Sequence, residues 1–200
     1  MSVADNNKPE PLMRRILGAS WEQLAAPVRA HFNVTAGSPV RVSGVMDEVA
    51  QRGIGRLLFP LFGLFGVLVP YHGRDVPFSV EYSADNDFLY WNREFLFPGK
   101  RPYVFDSRMC FQAPGVGVEF VRFGIGIVMS VFCVDGALVF QSNGFGIKLG
   151  RRWLPLPIGW LIGRARIVEW GEGDLLRMEM TLDHPWLGRL FVYKGRFRID

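Results

Sequence analysis

Arg93 stands between Trp91 and Phe95 at alternating positions, the spacing that puts three side chains on one face of a β-strand. If that face is dry, the guanidinium needs an anionic partner or ligand. Rings on either side would hold an apolar tail while the cation holds a carboxylate or phosphate head. The bland alternative is a structural ion pair with Glu81 or Glu119. Glu119 shares its strand parity with Val121, Phe123, Ile125 and Ile127, where desolvation would raise a carboxyl pKa and suit acid or base work. Its place near the strand start points instead to a solvent-exposed end. Glu81 lies between Ser79 and Ser83, which suits a wet face. Arg93, Trp91, Phe95, Glu81 and Glu119 are therefore the candidate ligand-binding residues.

A second constellation is basic. Lys148, Arg151, Arg152, Arg164 and Arg166 run without an acid between Gly136 and Val168, interleaved with Trp153, Trp160 and the Leu-Pro-Leu-Pro stretch at 154–157. Cations beside tryptophans suit an anionic membrane surface or an acidic partner domain. A solvated rim is the default for such a charge run.

Other chemistry lacks a motif. His31, His72 and His184 have no i, i+4 partner, so metal ligation is not expected. His31 closes a helix, where a cation suits the C-terminal dipole, and His184 precedes Pro185 in a turn. There is no nucleophile elbow, phosphate loop or dinucleotide fingerprint, so no cofactor is expected. Gly124-Ile125-Gly126 lies within a strand pattern, and Gly144-Phe145-Gly146 reads as turn material. Cys110 and Cys133 sit in apolar runs without a CxxC spacing and read as buried, reduced thiols of a cytosolic protein.

The elements that must position these residues are mostly strands. Strand-like segments run over 39–49, 77–83, 88–97, 103–112, 116–134, 137–142, 164–170, 175–182 and 190–199, with the long 116–134 run bending at Gly124 or Gly126. Asp135-Gly136 is a strong hairpin turn. Two short helices are expected at 11–17 and 21–31, the second capped by Ser20. An apolar helical segment follows near 54–68; its 57–70 stretch is about fourteen residues, short of the ~20 a spanning helix needs. With no strand–helix–strand repeat, the fold class is α+β, mainly β. The architecture expected is a curved antiparallel sheet or barrel of about eight to nine strands, with short N-terminal helices. Residues 1–10 read as a disordered lead and 11–200 as one domain.

Composition agrees. The chain has 200 residues, 49% apolar, with 17 Phe, 6 Trp and 5 Tyr, enough aromatic surface for a large core or an apolar cavity. Its net charge of +4 is too mild to mark a nucleic-acid binder. No secretory h-region is visible near the N-terminus, so a cytoplasmic, membrane-peripheral at most, location is expected.

Several segments together resemble an uncharacterised bacterial family that carries only a domain-of-unknown-function label: LGASWEQLAAPVRAHF (17–32), RDVPFSVEY (74–82), WNREF (91–95), RFG (122–124), RRWLPLP (151–157) and HPWLGRLFVYKG (184–195). The resemblance runs in order from about 12 to 199. Members of that family occur free-standing or fused C-terminal to saccharopine-dehydrogenase-like oxidoreductases, so the resemblance implies an oxidoreductase partner. It supplies no chemistry. The family tends to have an acid just before RFG, where this chain has Val121, with Glu119 two positions earlier.

Three functions follow from these residues. The first is a domain that binds an apolar, possibly acidic, small molecule in a cavity reaching Arg93. The second is an enzyme of isomerase or cyclase type using the same cavity. The third is a membrane-peripheral or docking module using 57–70 and 148–166.

Overall fold

Alternation of apolar and polar side chains wraps this chain into a closed tube. The computed structural model describes residues 10–57, 69–150 and 152–200. Eleven antiparallel strands form in chain order: β1 (Val40–Gln51), β2 (Gly73–Ala84), β3 (Phe88–Phe95), β4 (Tyr103–Ala113), β5 (Val116–Phe120), β6 (Ile125–Val134), β7 (Ala137–Leu149), β8 (Arg152–Leu156), β9 (Arg164–Glu172), β10 (Leu175–His184) and β11 (Gly188–Ile199). Each of β1 to β7 pairs with the next, β9 returns to pair with β7, and β10 and β11 follow. The register Val42↔Ile199 through Gln51↔Phe191 joins β11 to β1 and closes a ten-stranded barrel. Closure removes the exposed edges that an open sheet of this size would carry. β8 stands outside the circle as a short eleventh strand, hairpinned onto the far half of β7.

The count exceeds the eight to nine strands expected, for two reasons. The 116–134 run is two strands: the chain turns at Val121–Gly124, where Phe123 and Gly124 both adopt positive φ. Strand parity survives that turn, so alternation alone does not reveal it. The second reason is β8, whose Pro155 pairs with Gly146 on an outer strand, a place where a missing N–H is tolerated. Gly144-Phe145-Gly146 accordingly lies inside β7 and is not a turn.

The two ends of the barrel differ. At one end the N-terminal segment forms a plug: α1 (Leu12–Leu17), a 3-10 turn (Gly18–Gln23) and α2 (Ala26–Phe32). Met13, Ile16, Trp21, Val28 and Phe32 are buried beneath it. Backbone hydrogen bonds pin it to the turns of that end, Ala25 N–H to the Gly136 carbonyl (2.9 Å) and Gly115 N–H to the Ile16 carbonyl (2.8 Å). The expected helices are therefore present but shifted, and Ser20 caps neither. α2 instead starts at a Pro in its first turn, with no side-chain cap. At the other end lie the described parts of the connection from β1 to β2 (52–57 and 69–72), the β5–β6 turn, the β7–β8 hairpin, the short helix α3 (Gly159–Ile162) and the β10–β11 turn. Of the apolar helical segment expected near 54–68, residues 55–57 are helical and 58–68 lie outside the described residues, as do residues 1–9 of the expected lead.

Among the described residues no helix is long and apolar enough to cross a membrane.

Candidate functional site

Strand parity sends one side chain in two to the interior, and it brings a small polar set to the middle of an apolar tube. Arg93 on β3, Ser107 on β4 and Glu119 on β5 sit on three consecutive strands. Arg93 Nη1 donates to Ser107 Oγ at 2.8 Å, and Ser107 Oγ donates to Glu119 Oε1 at 2.6 Å. Arg93 Nη2 reaches the same Oε1 at 3.4 Å. The guanidinium is also held between two rings, 5.1 Å from the Trp91 centroid and 5.0 Å from that of Phe105. Two of its five N–H donors are thus occupied, and among the described residues the others have no acceptor.

Glu169 on β9 faces the same interior. It is 5% exposed, its Oε2 has no hydrogen-bond partner, and burial pushes its pKa up to about 8 against a smaller opposing pull from Arg93. It is therefore a neutral acid at pH 7, able to donate one O–H. Tyr82 and Tyr193 complete the set, both held in the phenol form by burial.

Two cavities meet at this polar set. The larger, about 60 Å³, extends from Arg93 and Glu119 past Met129, Phe145 and Met180 to Val69 and Ile162, away from the N-terminal plug. The smaller, about 30 Å³, runs past Trp91, Met109 and Glu169 to Tyr82 and Phe140, toward the plug. Arg93, Glu119 and Ile167 line both. Much of the interior is filled by ring contacts, such as Phe78–Phe95 (4.5 Å between centroids) and Phe78–Phe197 (5.8 Å).

The sequence candidates divide cleanly. Arg93, Trp91, Phe95 and Glu119 come together inside the barrel. Glu119 is buried, so the solvent-exposed strand end expected for it is corrected; the turn at Val121–Gly124 carries the chain over it. Phe123 does not share its face: positive φ swings it out to 71% exposure. Glu81 is exposed on the outer wall between Arg41 and Asn92 and has no route to the site. Lys148, Arg152, Trp153 and Trp160 all lie at the end away from the plug, and Arg151 lies outside the described residues.

His31 overturns its expected role as a helix-terminal cation. It is 1% exposed between Phe32 and Tyr82, neither ring nitrogen has a partner, and burial lowers its pKa to about 3. His184 is structural: its Nδ1 accepts from the Trp186 and Leu187 N–H groups, which leaves Nε2–H to donate to the Trp160 carbonyl at 2.8 Å. No cluster of metal-ligating side chains occurs among the described residues.

Ser107 and Glu169 escaped the sequence reading. The signal for Glu169 was present: it has the parity of Ala165 and Ile167 on β9, both of which line the larger cavity.

A closed antiparallel barrel with an internal polar cluster and cavities is the class that this fold and geometry define. The chain belongs to the family described as Domain of unknown function (DUF4166), which matches residues 24–197. No curated protein matches it. Among solved structures it is similar to Rv2717c from M. tuberculosis, at 10% identity over 88% of this chain and 99% of that one, with a TM-score of 0.44. The dehydratase domain of the polyketide PpsC from Mycobacterium tuberculosis is another, at 11% identity over 92% and 84% of the two chains, with a TM-score of 0.20. The same domain in complex with C12:1-CoA gives 12% identity, the same coverage and a TM-score of 0.19. Superpositions this loose leave the barrel's own geometry as the guide to its chemistry.

Proposed function

We propose that this barrel binds an apolar small molecule bearing one oxygen group, with that oxygen at Arg93. The observation that supports this reading most is the meeting of two apolar cavities at a cation with unused donors. Charge arithmetic favours an uncharged head over the acidic one also considered from sequence. Arg93 is already matched by Glu119, so a carboxylate would bring an excess negative charge into a low-dielectric interior. A carbonyl or hydroxyl oxygen instead accepts from Arg93 or the Glu169 carboxyl without that cost.

Size sets a condition. A cavity of about 60 Å³ is smaller than the ~150 Å³ hole that admits a benzene ring in another protein. Entry therefore requires the wall to give, and the unbranched side chains of Met129 and Met180 are the lining best suited to repacking. An oxidoreductase that makes or consumes such a carbonyl compound is the partner class this reading favours, and a cytoplasmic location suits both.

An isomerase is the second reading. A neutral acid, Glu169, and the carboxyl of Glu119 line one cavity, an arrangement able to give a proton to a carbonyl oxygen and take one from the neighbouring carbon.

Native mass spectrometry of the purified protein tests the proposal. The expected spectrum shows a non-covalent neutral adduct, or takes one up from an added medium-chain ketone. Uptake of solvent deuterium by that ketone identifies the isomerase. A bare chain mass in both conditions contradicts the binding reading.

A further inference from the structure

The end of the barrel away from the plug is chemically unlike the rest of the surface. The described parts of its connections, residues 52–57, 69–72, 96–102, 121–124, 150, 157–163 and 185–187, contain five Lys or Arg and no Asp or Glu. The turns at the opposite end, 85–87, 114–115, 135–136 and 173–174, contain four Asp and no Lys or Arg. The plug over those turns adds Glu10 and Glu22 but also Arg14, Arg15 and Arg29, so that end stays net negative and the connecting segments are sorted by charge along the barrel axis. Of the carboxylates on strands near the basic end, Glu48 and Asp183 are engaged by Arg52 and Arg189, while Asp75 and Glu94 have no ion pair among the described residues. Among the described residues Arg56, Arg101 and Arg122 have no carboxylate partner within 4.0 Å.

Large apolar side chains protrude at the same end. Leu57 is 78% exposed, Phe123 71%, Trp160 63% and Trp186 77%. They come from four different connections that the fold ties together. His184 links α3 to the β10–β11 turn through the Trp160 carbonyl. Arg52 N–H bonds the Leu190 carbonyl at 2.8 Å, fixing the 52–57 segment to the start of β11. A Cβ on Gly124 would stand 3.2 Å from the Lys148 carbonyl oxygen, so the β5–β6 turn lies close against the end of β7.

We infer that this end docks on an anionic phospholipid bilayer. Cations on loops that carry no acid among the described residues meet the lipid phosphates, and rings projecting singly from separate loops enter the headgroup layer, where Trp is favoured. Side chains that protrude as separate wedges suit a deformable bilayer, whereas a folded protein partner would need pockets to receive each one. The inference rests on the loops and is independent of the ligand reading.

The test is flotation with vesicles of phosphatidylcholine alone and with one third phosphatidylserine, at low and physiological salt. The full chain should float with the anionic vesicles only, and less so at the higher salt. Arg101→Gln with Arg122→Gln should weaken binding about 25-fold, at roughly fivefold for each cation near the surface. Trp160→Ser with Trp186→Ser should abolish flotation, while Asp174→Asn at the other end leaves it unchanged. These side chains are exposed, so circular dichroism should show every variant folded. Failure to float, equal binding to both vesicle types, or flotation of the double Trp variant at the parent level would overturn the inference. So would retention on polyglutamate without vesicle binding, which would mark an acidic protein partner, or a dimer formed through this end in its place.

Discussion

Arg93 and Glu119 occupy an interior where neither charge would be stable alone, and Ser107 bridges them. Alternation with Trp91 and Phe95 made Arg93 a legible candidate, whereas Glu119 had the right parity but was expected at an exposed strand end, because the turn that follows it at Val121–Gly124 does not show in the alternation. Glu169 has an equally plain parity, opposite Arg164 and Arg166, but local alternation does not show that β9 faces β3 and β5 across a closed tube. His31 was misjudged because a helix end says nothing about what covers it. These two buried groups make a pH prediction. His31 has its pKa lowered from 6.5 to about 3, so the unfolded chain takes a proton first as pH falls. Its contribution is intact above pH 6.5 and lost down to about 3, at about 1.4 kcal/mol per pH unit. Glu169 is raised from 4.5 to about 8, so its contribution is intact below 4.5 and lost as pH rises to about 8. The opposing slopes cancel between pH 4.5 and 6.5, giving a stability maximum there. Urea titrations across pH should show it. His31→Phe should flatten the acid limb and Glu169→Gln the alkaline limb; unchanged limbs would refute the assignment.

At the scale of elements, parity identified every strand except β8 and concealed one turn. β8 earns its place through Trp153, whose ring lies over the cross-strand glycine pair Gly126 and Gly146. A Cβ on Gly146 would stand 2.2 Å from that ring, and one on Gly126 would stand 2.5 Å away. The two glycines are a seat for an aromatic clasp. Gly146→Ala should lift Trp153, loosen β8 and cost about 1–3 kcal/mol. Trypsin should then cut the β7–β8 hairpin faster than in the parent. An unchanged cleavage rate would show that the clasp does not hold β8 to β7. A one-dimensional reading finds the glycines but cannot see the ring that requires them empty.

For the whole molecule, the sequence predicts inward and outward faces, yet closure depends on β1 meeting β11 more than a hundred residues away. Local alternation carries no information about that pairing. Closure turns a set of amphipathic strands into an interior, and it makes Arg93, Glu119 and Glu169 neighbours across the tube. On the function proposed above, this interior receives an apolar molecule with an uncharged oxygen. Calorimetric titration with a series of medium-chain 2-ketones and the carboxylates of equal length measures it most directly. Ile167 lines both cavities, so Ile167→Phe fills the space where they meet. Ketone binding should be saturable and one-to-one, tighter than that of the matching carboxylate, and weakened at least ~10-fold by Ile167→Phe in a variant that still melts cooperatively. Binding of neither series, or ketone affinity untouched by Ile167→Phe, would contradict it.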